Sequence, residues 1–326
     1  PEMAGPMTSS ATKQAVSAIA RGAVFFFLRH LASRVVSIQP LRQVPGWWSG
    51  YTLETPPDAA RETRLKLWNA LRGQTVRVKW LDGIKLDLRM GTDTARLVFV
   101  AGEIDPNEFF FLAGFLKSGM TVIDVGANEG LFTLFCRKRV GASGRVIAIE
   151  PSERELRQLR ANLRINGFAD VEIIPSAIGA RTGQAQLGIA ELEHAGFNAL
   201  GAVAAPWVKL VGRSEVTVAT LDALAETRNW PRIDLIKMDI EGSELDALRG
   251  AEALLARDRP LLLLEAEDES LALRGASLAE FLAWLAAHNY EAMDFSGADG
   301  SLAPIGTRQP KTVNLVFLPK GNRADC

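Results

Sequence analysis

The stretch Thr121–Gly130, TVIDVGANEG, decides how the rest of the chain is read. A short apolar run carrying one aspartate ends in a glycine, and a second glycine follows four residues later. A strand that runs into a glycine turn with a helix starting behind it is how an open α/β sheet presents a ligand crevice at its carboxyl edge. The spacing GANEG matches neither GxGxxG nor GxxxxGK[ST], contains no lysine, and sets Glu129 where it would repel a pyrophosphate. Dinucleotide and nucleoside triphosphate ligands are therefore disfavoured.

Working outward, RVIAIE ends in Glu150, about twenty residues beyond the turn, where a second-strand carboxylate accepts hydrogen bonds from both hydroxyls of a ribose. The pattern calls for an adenosine without phosphates whose other end is cationic, with Asp124 and Glu129 compatible with that charge. S-adenosylmethionine (SAM) meets this description. Strands are expected at RVIAIE, VEIIPSAIG, IDLIKMDI, PLLLLEAE, YEAMDF and TVNLVFLP, and helices at Leu131–Val140, Ser152–Asn166, Ser243–Ala256 and Leu278–His288. Short apolar strands between amphipathic helices give an α/β, Rossmann-like fold, a mostly parallel sheet with helices on both faces. An Ala- and Gly-rich insertion, 180–216, should arch over the strand ends.

Before the glycine motif, a charged helix is expected at Ala59–Leu71, a hairpin around Asp82-Gly83, and a strand, loop and helix in RLVFVAGEIDPNEFFFLAGFLKSGM. Residues 1–75 read as a helical extension and connector, 76–120 as hairpin and lead-in helix, and 121–320 as the ligand-binding domain. In Ala15–Ile38 an apolar stripe at helical spacing is interrupted by Arg21, Arg29 and Arg34, which leaves no run long enough to span a bilayer. A helix docked on the protein's own core, a homodimer contact and peripheral membrane attachment share this pattern. The net charge of −1 argues against nucleic acid as a partner. With only two cysteines, Cys136 and Cys326, a reducing, cytoplasmic compartment is expected.

VIDVGANEGLFTLF, VIAIEPSERELRQLRANLRINGF and above all IDLIKMDIEGSELDALRGAEALL resemble the FkbM family of class I SAM-dependent methyltransferases, over about Val76–Phe317. The resemblance implies a seven-stranded sheet with its last strand antiparallel, and methyl transfer to a hydroxyl of a sugar, polyketide or other small-molecule or glycan acceptor. It assigns Asp124, Gly126, Asn128 and Gly130 to the amino-acid end of SAM, Glu150 to the ribose, Ser176 and Ala177 to the adenine side, and Asp239 to the place where substrate and methyl meet. The family often has histidine where Ser243 stands, and glutamate near the place of Asp105. An N-methyltransferase acting on an amine or protein side chain, and a non-catalytic SAM-fold scaffold, are the rival readings.

Displacement at a sulfonium needs alignment above all, and a proton acceptor if the nucleophile is a hydroxyl. Candidate bases are Asp239, supported by Glu241 and Glu265 at the strand ends, and His194 in the insertion; His30 lies on the expected N-terminal helix, and His288 reads as structural. Three converging carboxylates can take Mg²⁺, but nothing in their spacing demands an ion, and no metal is expected.

Overall fold

TVIDV is buried at every position, which fits a strand with helices packed above and below it. The computed structural model describes residues 59–321 apart from 103, 202, 204, 297–299 and 307. The stripe expected over residues 15–38, and with it any membrane or dimer contact there, lies outside the described residues. No helix among those described is long and apolar enough to cross a membrane.

In chain order, α1 (Ala59–Ala70) precedes a hairpin of β1 (Thr75–Lys79) and β2 (Lys85–Arg89). Asp82 and Gly83 both have positive φ, and Ile84 N–H donates to Leu81 O, as the Asp-Gly signal demands. A strand expected at Arg96–Ala101 is absent: α2 (Asp93–Arg96) runs into a π-helical turn, Leu97–Ala101. Thr92 starts it by accepting Ala95 N–H at 3.1 Å, and the buried run Val98–Ala101 packs around the turn rather than on alternate faces.

Next come α3 (Pro106–Phe115), β3 (Thr121–Val125), α4 (Leu131–Val140), β4 (Arg145–Ile149), α5 (Glu153–Asn166) and β5 (Glu172–Ile174). Ser152 stands at the N-cap of α5 without a side-chain cap bond; its N–H turns back to Glu150. The insertion is mostly strand: β6 (Ala177–Ile178), β7 (Gly183–Ala190), β8 (Ala199–Leu200) and β9 (Leu210–Ala219) make a separate sheet, ordered β6-β9-β7-β8. VEIIPSAIG is thus divided between two sheets.

The chain ends with α6 (Leu221–Thr227), β10 (Leu235–Met238), α7 (Glu244–Arg249), α8 (Glu252–Asp258), β11 (Leu261–Glu265), α9 (Asp268–Ala272), α10 (Leu278–Ala287), β12 (Tyr290–Phe295), β13 (Leu302–Pro304) and β14 (Asn314–Pro319). The single helix expected at Ser243–Ala256 is broken at Gly250, where a Cβ would lie 2.2 Å from Gly179 O. Backbone contact there stops a continuous helix.

The main sheet is ordered β13-β12-β14-β11-β10-β3-β4-β5, with β14 antiparallel to both neighbours. This is the expected methyltransferase sheet with one strand added. The eighth, β13, pairs antiparallel with β12 because Leu302 packs on the core beside Phe295. Alternate residues feed two cores: Val122, Val146 and Leu263 face α4, α5, the hairpin and α1, while Ile123, Ile147 and Leu264 face α6, α7, α8 and α10. Asp124 and Lys237, direct partners across β3 and β10, are charges inside the first core.

Candidate active site

The carboxyl ends of β3, β4, β10 and β11 open into a cavity of about 360 Å³, within the size range of small-ligand sites. Gly126 sits where the turn touches β10: its φ is +77°, and a Cβ would lie 2.0 Å from Asp239 O. Gly126 and Ala127 N–H both donate to Ile149 O, at 2.9 and 3.0 Å, so the turn is held against β4.

Glu150 lies under this turn. Its Oε2 accepts Asn128 N–H at 2.9 Å and its Oε1 accepts Ser152 N–H at 2.8 Å. Burial pushes its carboxyl up to about 7, against the pull of those two N–H groups. Each oxygen keeps one lone pair, so a vicinal diol in the cavity has two acceptors waiting. Asn128, at φ +49°, lines the same space with a buried Oδ1 that has no partner among the described residues. Ala177 and Ser176 complete this end; the Ser176 hydroxyl lies 2.8 Å from Ala177 O and 2.9 Å from Thr217 O, so it is spent on backbone.

Two expected cofactor residues sit behind the wall. Asp124 is fully buried beneath the turn, where Oδ2 accepts Thr133 Oγ1 at 2.5 Å and Oδ1 lies 3.6 Å from Lys237 Nζ. Gly130, at φ +93°, starts α4 against α5, and a Cβ there would meet Leu159 at 2.5 Å. Both shape the turn without lining the cavity.

The opposite end is acidic. Asp239, Glu241, Glu265 and Asp105 line it, with Asn314 and Lys237. Lys237 Nζ is 3.5 Å from Asp239 and 3.4 Å from Gly126 O, with the Phe132 ring centroid 4.8 Å away. Burial alone would lower Lys237, but Asp239, Asp124 and Asp105 reverse this and hold it above its ordinary value; it is an ammonium ion at neutral pH and no base. Burial and then Asp239 push Asp105 up to about 6. Burial and the same neighbour push Glu241 up to about 9 and Glu265 well above the carboxylate range. Behind them Glu108 accepts Asn314 Nδ2 at 3.1 Å, and burial takes it up to about 8.

His194 does not face this space. Its Nδ1 lies 2.5 Å from Asp93 Oδ2, clasping the 3₁₀ segment Leu192–Phe197 to α2, while the neighbouring Ala195, Gly196 and Phe197 form the cavity wall. His288 stacks on Trp284. Sequence reasoning missed Lys237 and Asn314, and named Asp105 only as a departure from the family pattern. For Lys237 a signal was present: a lysine in the middle of the apolar strand LIKM needs buried partners.

The FkbM methyltransferase domain matches residues 124–292, just over half of the chain, and takes in the glycine turn, Glu150, Asp239 and Glu265. The chain belongs to the FkbM methyltransferase family. A curated relative, Methyltransferase 1 of Beauveria bassiana (strain ARSEF 2860), is 27% identical over 168 residues, covering 47% of this chain and 67% of its own. Among solved structures, the FkbM methyltransferase of Methylobacillus flagellatus KT superposes with a TM-score of 0.42 at 19% identity, over 69% of this chain; this chain spans 54% of its length. A SAM-dependent O-methyltransferase of Thermotoga maritima gives 0.38 at 14% identity, over 76% of this chain and 77% of that one.

Proposed function

We propose that this FkbM protein transfers the methyl group of SAM to a hydroxyl oxygen of a neutral polyhydroxylated acceptor, a sugar, polyketide or similar natural product. The observation that carries this is the pairing of a diol cradle at Glu150 with a carboxylate-lined far end in one cavity. When bound, SAM supplies a methyl group on a sulfonium, a good leaving group. Glu150 would hold the ribose, Asn128 and the Gly126 turn the chain beyond it, and Ala177 the base.

What remains for the protein is to align the acceptor and take its proton, alignment being worth ~7–11 kcal/mol and a base ~10²–10⁴-fold. Asp239, anchored by Lys237, is the proposed base or orienting group, with Glu241 and Glu265 beside it; Asp105, at about 6, is matched to the same task near neutral pH. Carboxylates also favour oxygen over nitrogen here. An amine would enter as its ammonium ion with its lone pair occupied, whereas a hydroxyl donates to a carboxylate and keeps a lone pair for attack. The enzyme works in the cytoplasm, where the buried, unpaired Cys136 stays reduced.

Isothermal titration with S-adenosylhomocysteine (SAH) tests the reading. The wild-type chain should bind, and Glu150→Ala should lose ~1.5–3 kcal/mol of affinity. Absence of binding to folded protein would end it. Labelled SAM offered with sugar and amine acceptors should mark the sugars.

A further inference from the structure

Five carboxylates crowd the ends of β10 and β11: Asp239, Glu241, Glu244, Glu265 and Glu267. Two have donors of their own. Glu244 Oε1 accepts Ile240 N–H at 2.7 Å, and Glu267 Oε2 accepts the Ser270 hydroxyl at 2.5 Å. The other three each offer an oxygen to one spot, all within 4.8 Å of one another. Lys237 lies 3.5 Å from Asp239 Oδ2, but neither Glu241 nor Glu265 joins an ion pair among the described residues. Glu265 Oε2 is closed off from solvent on the cavity wall and has no hydrogen-bond partner among the described residues. Leaving such an oxygen unpaired costs ~1–3 kcal/mol, more when it is charged, and the described residues offer no donor to offset it.

We propose that Asp239, Glu241 and Glu265 form a binding site for a hard divalent cation at the acceptor end of the cavity. Three oxygens at the full 4.8 Å separation would each lie about 2.8 Å from a common centre, so the ~2.3–2.6 Å of calcium–oxygen bonds draws the carboxylates in by a few tenths of an ångström. Magnesium, at ~2.0–2.1 Å, needs them to close in further still. An all-oxygen donor set selects Mg²⁺, Mn²⁺ or Ca²⁺ over zinc or copper. The two halves of the site are fixed to each other. Glu241 and Gly242 have φ of +57° and +90°, and a Cβ on Gly242 would lie 2.1 Å from Ser270 O, so the loop after β10 rests directly on the backbone after β11. Three protein ligands leave coordination positions open, through which an ion can orient two neighbouring oxygens of a diol and act as a Lewis acid on one of them. Spacing in the sequence does not demand this ion; the folded geometry supplies the reason for it. The ion's role toward an acceptor rests on the methyltransferase reading, but the existence of the site does not.

Mn²⁺ alone, titrated into the full chain with the free ion followed by electron paramagnetic resonance, tests the site. One saturable site below ~1 mM is expected, displaced by Ca²⁺ or Mg²⁺. Glu265→Gln and Glu241→Gln should each weaken it at least ~10-fold while SAH titration shows that each variant is folded. No saturable site in the wild-type chain, or Mn²⁺ affinity in the two variants equal to that of the wild-type chain, overturns the proposal. SAH binding without a Mn²⁺ site removes only this inference, and a Mn²⁺ site without SAH binding removes only the acceptor role.

Discussion

Glu108 shows most plainly what the acidic end of the cavity costs. It is buried beside Asp105 and Asn314, and burial, with Asp105 adding to it, pushes its carboxyl up to about 8. An acid whose folded value is raised contributes stability that is fully present below its unfolded value and lost as pH rises through the folded one. Above pH 8 the folded protein must therefore hold this charge without a cationic partner among the described residues. Glu108→Gln keeps the Oε1 that accepts Asn314 Nδ2 and removes the charge. It should raise stability by ~2 kcal/mol at pH 9 and leave it nearly unchanged at pH 4; urea unfolding at the two pH values measures both. Equal effects at both would mean that Glu108 is not titrating in the folded state. At this scale the sequence was legible wherever a strand end marked the residue. Glu150 and Asp239 announce themselves as acids closing apolar runs. Lys237 shows only that it needs buried partners, which its register against Asp124 supplies, and Asp105 gives no such sign because a turn, φ +44° before Pro106, brings it to the cavity.

Among elements, the hairpin shows how a segment outside the family match supports the site. Gln158, Asn162 and Asn166, four residues apart on α5, bond the backbone of β2 at Asp87 and Lys85, so the strand edge is satisfied by side chains. Arg89, at the end of β2, pairs with the buried Glu129 of the glycine turn and lies 3.5 Å from Glu155. Arg89→Ala leaves Glu129 buried without its cation and should cost ~3 kcal/mol, with weaker SAH binding. Arg77→Ala breaks the more exposed pair with Asp87 on the same hairpin and should cost ~1 kcal/mol or less. Urea denaturation of the two variants compares them, and equal losses would mean that Arg89 does not brace the turn. Strands and helices with clean periodicity were readable in advance, as β3, α4 and β11 show. The errors share a cause. In RLVFVA a run buried on all sides has no period to read, and the break at Gly250 depends on the distant carbonyl of Gly179.

Over the whole molecule, the division of labour follows the family boundary. Glu150, Asp239 and Glu265 lie within the family match, whereas Asp105 and Asn314, which line the acceptor end, come from before and after it. The Glu150 end of the cavity thus lies within the matched domain, while the acidic end also draws on segments outside it. That asymmetry explains why the fold and the adenosine cradle could be read from motifs while the acceptor could not: its walls meet only after the lead-in helix, the insertion and β14 have packed together. The most direct measurement is the crystal structure of the chain soaked with SAH. The ribose should lie on the Glu150 carboxylate with the sulfur directed toward Asp239; a cradle at Glu150 filled by side chains, or SAH bound elsewhere, would contradict the account.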